Sequence, residues 1–403
     1  MGDRIRVLII VNGLAIGEPL GGAELFGLQL ACALDRTRFE PVVCGVWRHN
    51  TSSEALWLSR LAATGVEVFL ATDWKQSAGL HRYCKAFKGI SLCLEQQDFD
   101  IIHSNSHFGS VATILLRRKS SFPVTLRTAH LQADKEWGRA FWGRWMFTYW
   151  IYPLSFDAET GVSQGVVATL NRRPGAFLSR RPVRLVHNAI DLGRFCNVRA
   201  SRELLSEWWG IPPDSCVVGS IGALTERKGF RFLLRAAQRT LREIPDAFFL
   251  VIGDGELRDE LNRLTAELGI AERVVFTGAR QDVELLLSLM DVFVLPSLWE
   301  GLPTVLMESM AAGVPVVATD IPGTREVVTH GETGYLVPPQ DPAALAAAIV
   351  HMLKDREQAS LLTEVARREV RARFSIQSIA EQYEELYTDL LSPRERLAKR
   401  RWG

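Results

Sequence analysis

Glu300 and Glu308 bracket the stretch Glu300-Gly301-Leu302-Pro303-Thr304-Val305-Leu306-Met307-Glu308, which follows the strand-like run Val292–Leu295. Pro303 suits a first helical turn. The backbone amides from Gly301 to Val305 would then sit at a helix N-terminus, where an anion binds well. Gly301 leaves the backbone bare for a close ligand approach. Glu308, about one and a half turns further on, could reach hydroxyls of a ligand whose phosphates lie at the helix start. A second group, Thr225-Glu226-Arg227-Lys228-Gly229, follows the run Val217–Ile221 and the turn residue Gly222. Two adjacent cations in a strand-to-helix loop would neutralise a diphosphate, although a solvated basic helix start has the same composition. Gly253-Asp254-Gly255 makes a third turn, after Phe249–Ile252. Nearer the N-terminus, Gly21-Gly22 precedes a helical pattern, and His130 follows the strand-like Val124-Thr125-Leu126 through Arg127, Thr128 and Ala129. A histidine there faces a strand's carboxyl edge, but a lone histidine is more often structural.

These groups need a scaffold that gathers strand ends. Val7–Val11, Val42-Val43, Val66–Phe69 and Ile101-Ile102 are short β-rich runs separated by helical patterns. A second such series runs through Val217–Ile221, Phe248–Ile252, Val274–Phe276, Val292–Leu295 and Val314–Ala318. Strands alternating with helices predict parallel βαβ units. The fold class is therefore α/β, with two doubly wound, Rossmann-like domains joined near Ala189–Ala200. Their expected bounds are 1–193 and 194–375, followed by a segment 376–403. Ligands of such sheets bind in the crevice outside the strands' carboxyl ends. Ile376, Ile379, Tyr383, Leu386, Tyr387 and Leu390 recur at helical spacing and predict a C-terminal helix over 376–391.

The length, 403 residues, suits two or three domains, and 47% hydrophobic with 23% charged residues excludes disordered and fibrous classes. The net charge of +1 hides a split: Lys+Arg exceed Asp+Glu by 22 to 16 over 1–193, but trail by 20 to 25 over 194–375. That asymmetry fits domains with different partners and disfavours a uniform nucleic-acid binder. The six cysteines show no metal-ribbon or redox spacing and read as free thiols of a reducing compartment. Val7–Val11 is too short for the apolar part of a signal peptide. No run approaches a membrane span. The expected localisation is cytoplasmic. Nine of the 36 aromatic residues fall within Trp137–Phe156, interrupted by Arg139 and Arg144. An interfacial helix and a core helix both explain that stretch. With the pairs Arg117-Arg118, Arg172-Arg173 and Arg180-Arg181 and the basic tail Arg394–Arg401, it raises the expectation of peripheral contact with an anionic membrane.

Taken together, these motifs resemble the retaining GT-B glycosyltransferases of glycosyltransferase family 4. The Glu-x7-Glu segment Glu300–Glu308 is the most specific part. Met310–Ala318, Gly331-Glu332-Thr333-Gly334, Leu336–Pro339 and Val186-His187-Asn188-Ala189-Ile190-Asp191 resemble other signatures of the family. The resemblance implies two domains facing across a crevice, the first on the acceptor side and the second binding a nucleotide sugar, with the C-terminal helix crossing back to the first. It implies that Arg227 and Lys228 hold the donor diphosphate, Glu300 the donor sugar's hydroxyls and Glu308 the ribose. His130 would lie beside the reacting sugar, and Gly22 would border the acceptor side. Gly222, Gly253, Gly301, Leu302, Pro303, Thr304 and Val305 would line the donor site. Ala223 stands where many members carry Arg, and Arg227 is the substitute. The expected reaction is metal-independent hexosyl transfer with retention, from a UDP-sugar ahead of a GDP-sugar. The acceptor would be a glycan, a lipid-linked sugar or a small molecule, in polysaccharide or glycoconjugate synthesis, with no cofactor.

Other readings compete. Asp98-Phe99-Asp100 matches a metal-binding Asp-x-Asp, but enters a strand at the wrong end. His103 and His107 lack a third ligand. Gly161-Val162-Ser163-Gln164-Gly165 matches a hydrolase nucleophile elbow, with Asp320 and His330 following in order. A non-catalytic sugar-nucleotide-binding protein and a nucleotide-sugar epimerase are two further alternatives. The absence of complete dinucleotide-binding and P-loop patterns lowers dehydrogenases and NTPases.

Overall fold

The computed structural model describes residues 4–15, 21–74, 79–117, 123–130, 145–196 and 198–392. The chain divides into two compact units, Met1–Ala189 with Ile376–Gly403, and Ile190–Ser375. Each is a doubly wound parallel sheet flanked by helices.

The first unit holds β1 (Ile5–Val11), β2 (Phe39–Arg48), β3 (Glu67–Asp73), β4 (Ile101–Ser104), β5 (Val124–Ala129), β6 (Ala158–Gly161) and β7 (Arg184–Leu185), in the order β3-β2-β1-β4-β5-β6-β7. The second holds β8 (Val217–Ile221), β9 (Phe248–Ile252), β10 (Val274–Gly278), β11 (Val292–Leu295), β12 (Val316–Thr319) and β13 (Tyr335–Val337), in the order β10-β9-β8-β11-β12-β13. Strands covered on both faces by crossover helices read as continuous apolar runs. Val7 to Val11 are fully buried for that reason. In each sheet the order reverses beside the first strand, between β1 and β4 and between β8 and β11. Those are the switch points where ligands of such folds bind.

The C-terminal helix, Ile376–Leu391, completes the first unit's core. Ile379, Tyr383 and Tyr387 are fully buried, and Ile376, Leu386 and Leu390 nearly so, among Phe26, Leu30, Phe39 and Ile101. The tyrosine hydroxyls reach across to the sheet. Tyr383 lies 3.0 Å from Thr128 Oγ1 and 3.1 Å from Thr160 Oγ1, and Tyr387 lies 2.7 Å from His103 Nδ1. Burial pushes His103 down to about 3 and Tyr383 up to about 12, so these tethers join neutral groups. Glu384 accepts the Asp35 amide at 2.7 Å and fixes the neighbouring turn.

The aromatic stretch is only partly covered by the described residues. Trp137, Arg139, Phe141, Trp142 and Arg144 lie outside them, as do Arg118 and Arg394–Arg401. From Trp145 onward the segment includes a π-turn, Phe147–Ile151, followed by a helical turn, Tyr152–Ser155. Thr148, Tyr152 and Phe156 are buried, while Met146, Trp150 and Leu154 are exposed. Core and surface therefore each take one side of the segment. Beneath it, Glu159 sits between Arg173 (2.5 Å) and Arg127 (3.2 Å), all three buried. Arg173 also donates to the carbonyls of Thr148 and Leu170 at 2.8 and 2.7 Å, locking the segment to β6. A buried charge cluster of this kind keeps its place only because its hydrogen bonds are filled.

Candidate active site

In the second unit, the site is assembled at the switch point between β8 and β11. After β8, Gly222 donates its amide to Ile252 O at 2.9 Å. Gly253, at the end of β9, has φ +138, and a Cβ there would fall 2.0 Å from Gly222 O. Only glycine fits that approach. The chain then forms a short 3-10 turn, Glu226–Lys228, stopped by Gly229 at φ +66, where a Cβ would meet Pro296 O at 2.1 Å. Pro296 belongs to the loop leaving β11, so this contact brings the two loops together. Leu298 N–H donates to Arg227 O at 2.8 Å across the same junction.

The consequence is a three-residue charge clamp. Arg227 Nη1 lies 2.5 Å from Glu300 Oε2, and Lys228 Nζ lies 2.7 Å from Glu300 Oε1. Ser297 Oγ donates to the same Oε1 at 2.7 Å. The Glu300 side chain is 6% exposed, Lys228 12% and Arg227 37%. One carboxylate thus orients two cations and leaves one positive charge in excess. The Lys228 stem lies against bare Gly222, which has no side chain to push it aside.

The helix after Glu300 runs Thr304–Ala312. The spacing puts Pro303 in its first turn; instead Pro303 caps it in an extended conformation, with Leu306 N–H donating to Pro303 O at 3.2 Å. An extended residue before the first turn closes the helix start just as well. The amides of Thr304 and Val305 occupy the first turn, where no intrahelical acceptor exists. Leu302 is buried, and the Glu300 and Gly301 carbonyls pack against Gly323. Glu308 is half-buried on the same helix, and burial pushes its carboxyl up to about 7. Arg194 and Lys228 oppose that rise and Glu284 adds to it; Arg194 and Glu284 themselves pair at 2.7 Å.

Because the folded pKa of Glu308 is raised above its ordinary value of 4.5, the folded protein holds an extra proton between about pH 4.5 and 7. Its stabilising proton is fully bound below 4.5 and lost as pH rises through 7. Glu308→Gln should therefore raise the melting temperature of the second unit above about pH 8 and change it little near pH 5. Equal shifts at both pH values in scanning calorimetry would contradict the buried, proton-holding carboxyl.

His130 and Gly22 belong to the first unit. Gly22 opens the helix Gly22–Ala33, and a Cβ at either Gly21 or Gly22 would meet nothing within 4 Å. His130 follows β5, with Nε2 3.4 Å from Asn105 Oδ1 and its ring edge-on to Phe26. Its Nδ1 is buried without a hydrogen-bond partner. Burial, then Arg127, push the imidazole down to about 4 against a contact to Asn188. It is a neutral hydrogen-bonding group at neutral pH.

Three competing motifs have structural roles. Asp100 accepts the Arg6 amide at 2.9 Å, and Phe99 lies under the Arg6 guanidinium, so this segment secures the entry to β4. His103 is committed to the tyrosine network and His107 Nδ1 to Tyr152 OH at 2.7 Å. Ser163 is buried and accepts Val166 N–H as a helix cap, Asp320 pairs with Arg325, and His330 Nδ1 accepts Leu336 N–H. A helix-capping serine and an otherwise engaged acid and histidine correct the nucleophile-elbow reading. Among the described residues, no three His, Cys, Asp or Glu side chains group as metal ligands, and no helix is long and apolar enough to cross a membrane. Ser297, Arg194 and Glu284 were not legible as site residues. Ser297 carries the one local signal, standing three residues before Glu300.

Residues 20–194 match the profile of Glycosyltransferase Family 4, and residues 215–355 that of Glycosyl transferases group 1. The chain belongs to glycosyltransferase family 4. Among relatives of this family-4 protein, a lipopolysaccharide core biosynthesis glycosyltransferase, LpsE of Rhizobium meliloti, is 35% identical over 207 residues, 51% of this chain and 58% of that protein. The UDP-Gal:alpha-D-GlcNAc-diphosphoundecaprenol alpha-1,3-galactosyltransferase of Escherichia coli is 23% identical over 81% of this chain and 84% of its own length. Anabaena HepE, solved in complex with UDP and glucose, superposes with a TM-score of 0.78 at 21% identity, covering 96% of this chain and all of that one. That likeness identifies the family-4 protein's fold as GT-B.

Proposed function

We propose that this protein transfers a hexosyl group from a nucleoside-diphosphate sugar, UDP-linked ahead of GDP-linked, with retention and without a metal ion. The clamp of Arg227 and Lys228 on Glu300, beside a helix N-terminus, carries this reading. Cleavage of the anomeric C–O bond sends its electron pair to the diphosphate. Arg227, Lys228 and the amides of Thr304 and Val305 stabilise the charge that gathers there. The acceptor oxygen bonds to the anomeric carbon on the face the diphosphate leaves, and its proton passes to a leaving phosphate oxygen. Glu300 reads the sugar hydroxyls while aiming both cations. Glu308 reads the ribose, and a carboxyl held up to about 7 by burial carries only part of its charge near neutral pH, which lessens its repulsion of the phosphates. In the first unit, neutral His130 offers a hydrogen bond without adding charge, and Gly22 leaves its own surroundings open.

The named relatives support a glycan or lipid-linked acceptor and a role in lipopolysaccharide or glycoconjugate synthesis. The UDP in HepE and the UDP-Gal of the bacterial relative support the base. Six free cysteines support a cytoplasmic setting, where the protein would lie peripherally on an anionic membrane. The test is proton NMR of the transfer product formed in the presence of EDTA. An α-linked product from an α-linked donor is expected. A β-linked product would overturn retention, and activity restored only by added manganese or magnesium would overturn metal independence.

A further inference from the structure

The first unit carries an exposed apolar surface on the segment between β5 and β6 and on a short helix after β6. Met146, Trp150 and Leu154 are spaced by four along one turn-rich segment and are 48%, 37% and 50% exposed. The short helix Pro174–Ser179 packs against this segment so tightly that a Cβ at Gly175 would lie 2.9 Å from Trp150 O. It presents Phe177 and Leu178, 84% and 61% exposed, beside that stripe. The face is held firmly: Arg173, one residue before Pro174, is fully buried and bound to Glu159, Thr148 O and Leu170 O.

Among the described residues 145–181, the exposed charges have one sign. Arg172, Arg180 and Arg181 are exposed, and Arg180 ends the helix in the left-handed region at φ +52. The only carboxylates between 145 and 181 are Asp157 and Glu159. Both are buried, Asp157 beside Arg117 and, at 3.9 Å, Arg181, and Glu159 beside Arg127 and Arg173. Apolar and aromatic side chains rimmed by arginines match the interface of a bilayer with anionic headgroups. A second copy meeting this face about a two-fold axis would place like charges together.

We infer that Met146, Trp150, Leu154, Phe177 and Leu178, rimmed by Arg172, Arg180 and Arg181, dock the first unit reversibly on an anionic lipid bilayer. This gives the membrane association proposed above a defined surface, and it stands independently of the donor chemistry.

The experiment is flotation of the full chain with phosphatidylcholine vesicles, with or without phosphatidylglycerol, at low and high salt. The wild-type protein should float only with phosphatidylglycerol present, and less at high salt. Phe177→Ser with Leu178→Ser, and separately Arg172→Glu with Arg180→Glu, should each reduce the bound fraction about tenfold. These side chains are exposed, so melting temperature and nucleotide affinity should stay unchanged, which separates loss of docking from loss of fold or of the donor site. Absence of wild-type flotation with phosphatidylglycerol at low salt, or flotation of both folded variants like wild type, would overturn the inference. So would a wild-type dimer by light scattering that Phe177→Ser with Leu178→Ser dissociates while flotation persists.

Discussion

Lys228→Ala should bind a nucleoside diphosphate roughly one to two orders of magnitude more weakly than the wild-type protein, the equivalent of losing a charge-assisted contact of about 1.5–3 kcal/mol. Lys228 is the better buried of the two cations, and its ammonium is aimed by Glu300 at 2.7 Å. A charge in such a setting is poorly screened, so its loss costs more than that of a surface cation. Arg227 is 37% exposed and paired with Glu300, a contact the variant should keep. It therefore preserves part of the site without replacing the missing positive charge. Catalysis should fall further than binding, because charge on the diphosphate grows as the sugar leaves. Titration calorimetry reads the first effect, and turnover at saturating donor the second. Unchanged affinity would mean that the diphosphate lies elsewhere.

Truncation after Ser375 should abolish folding of the first unit. Six side chains of the Ile376–Leu391 helix, Ile376, Ile379, Tyr383, Leu386, Tyr387 and Leu390, are buried in that unit's core. At about 1.5–3 kcal/mol each, their loss removes roughly 9–18 kcal/mol as an upper estimate. That matches or exceeds the typical total stability of about 5–15 kcal/mol. It also strips His103, Thr128 and Thr160 of the tyrosine hydroxyls. The second unit, Ile190–Ser375, contains none of these contacts and should keep its own unfolding transition. Limited proteolysis should degrade residues 1–189 and spare 190–375. A truncated protein with both transitions intact would contradict the helix's role.

How much of this could be read from sequence depended on distance along the chain. Val7–Val11 and Val292–Leu295 announce themselves because strands buried on both faces have no polar alternation. β7 and β13, of two and three residues, are too short to carry any pattern. The C-terminal helix was legible from its periodicity, but the match of Tyr387 to His103 was not, since it joins residues far apart in sequence. Arg227, Lys228 and Glu300 each stood out by type and loop position. Their direct pairing depends on β8 and β11 being neighbours, which local spacing does not encode. Phe177 and Leu178 resemble core residues of any short helix; only the packing of Gly175 on Trp150 turns them outward. Likewise, the neutrality of His130 comes from burial, which no residue list reveals.

Nucleotide release shows whether the clamp of Arg227 and Lys228 on Glu300 serves nucleotide-sugar transfer. Purified wild-type protein and Lys228→Ala would each be incubated with UDP- and GDP-linked hexoses, with released nucleoside diphosphate measured. Release by the wild-type protein from at least one UDP-sugar is expected, with a loss of about tenfold or more in the variant. Equal release by both proteins, or no release from any donor by a folded wild-type protein, would contradict it.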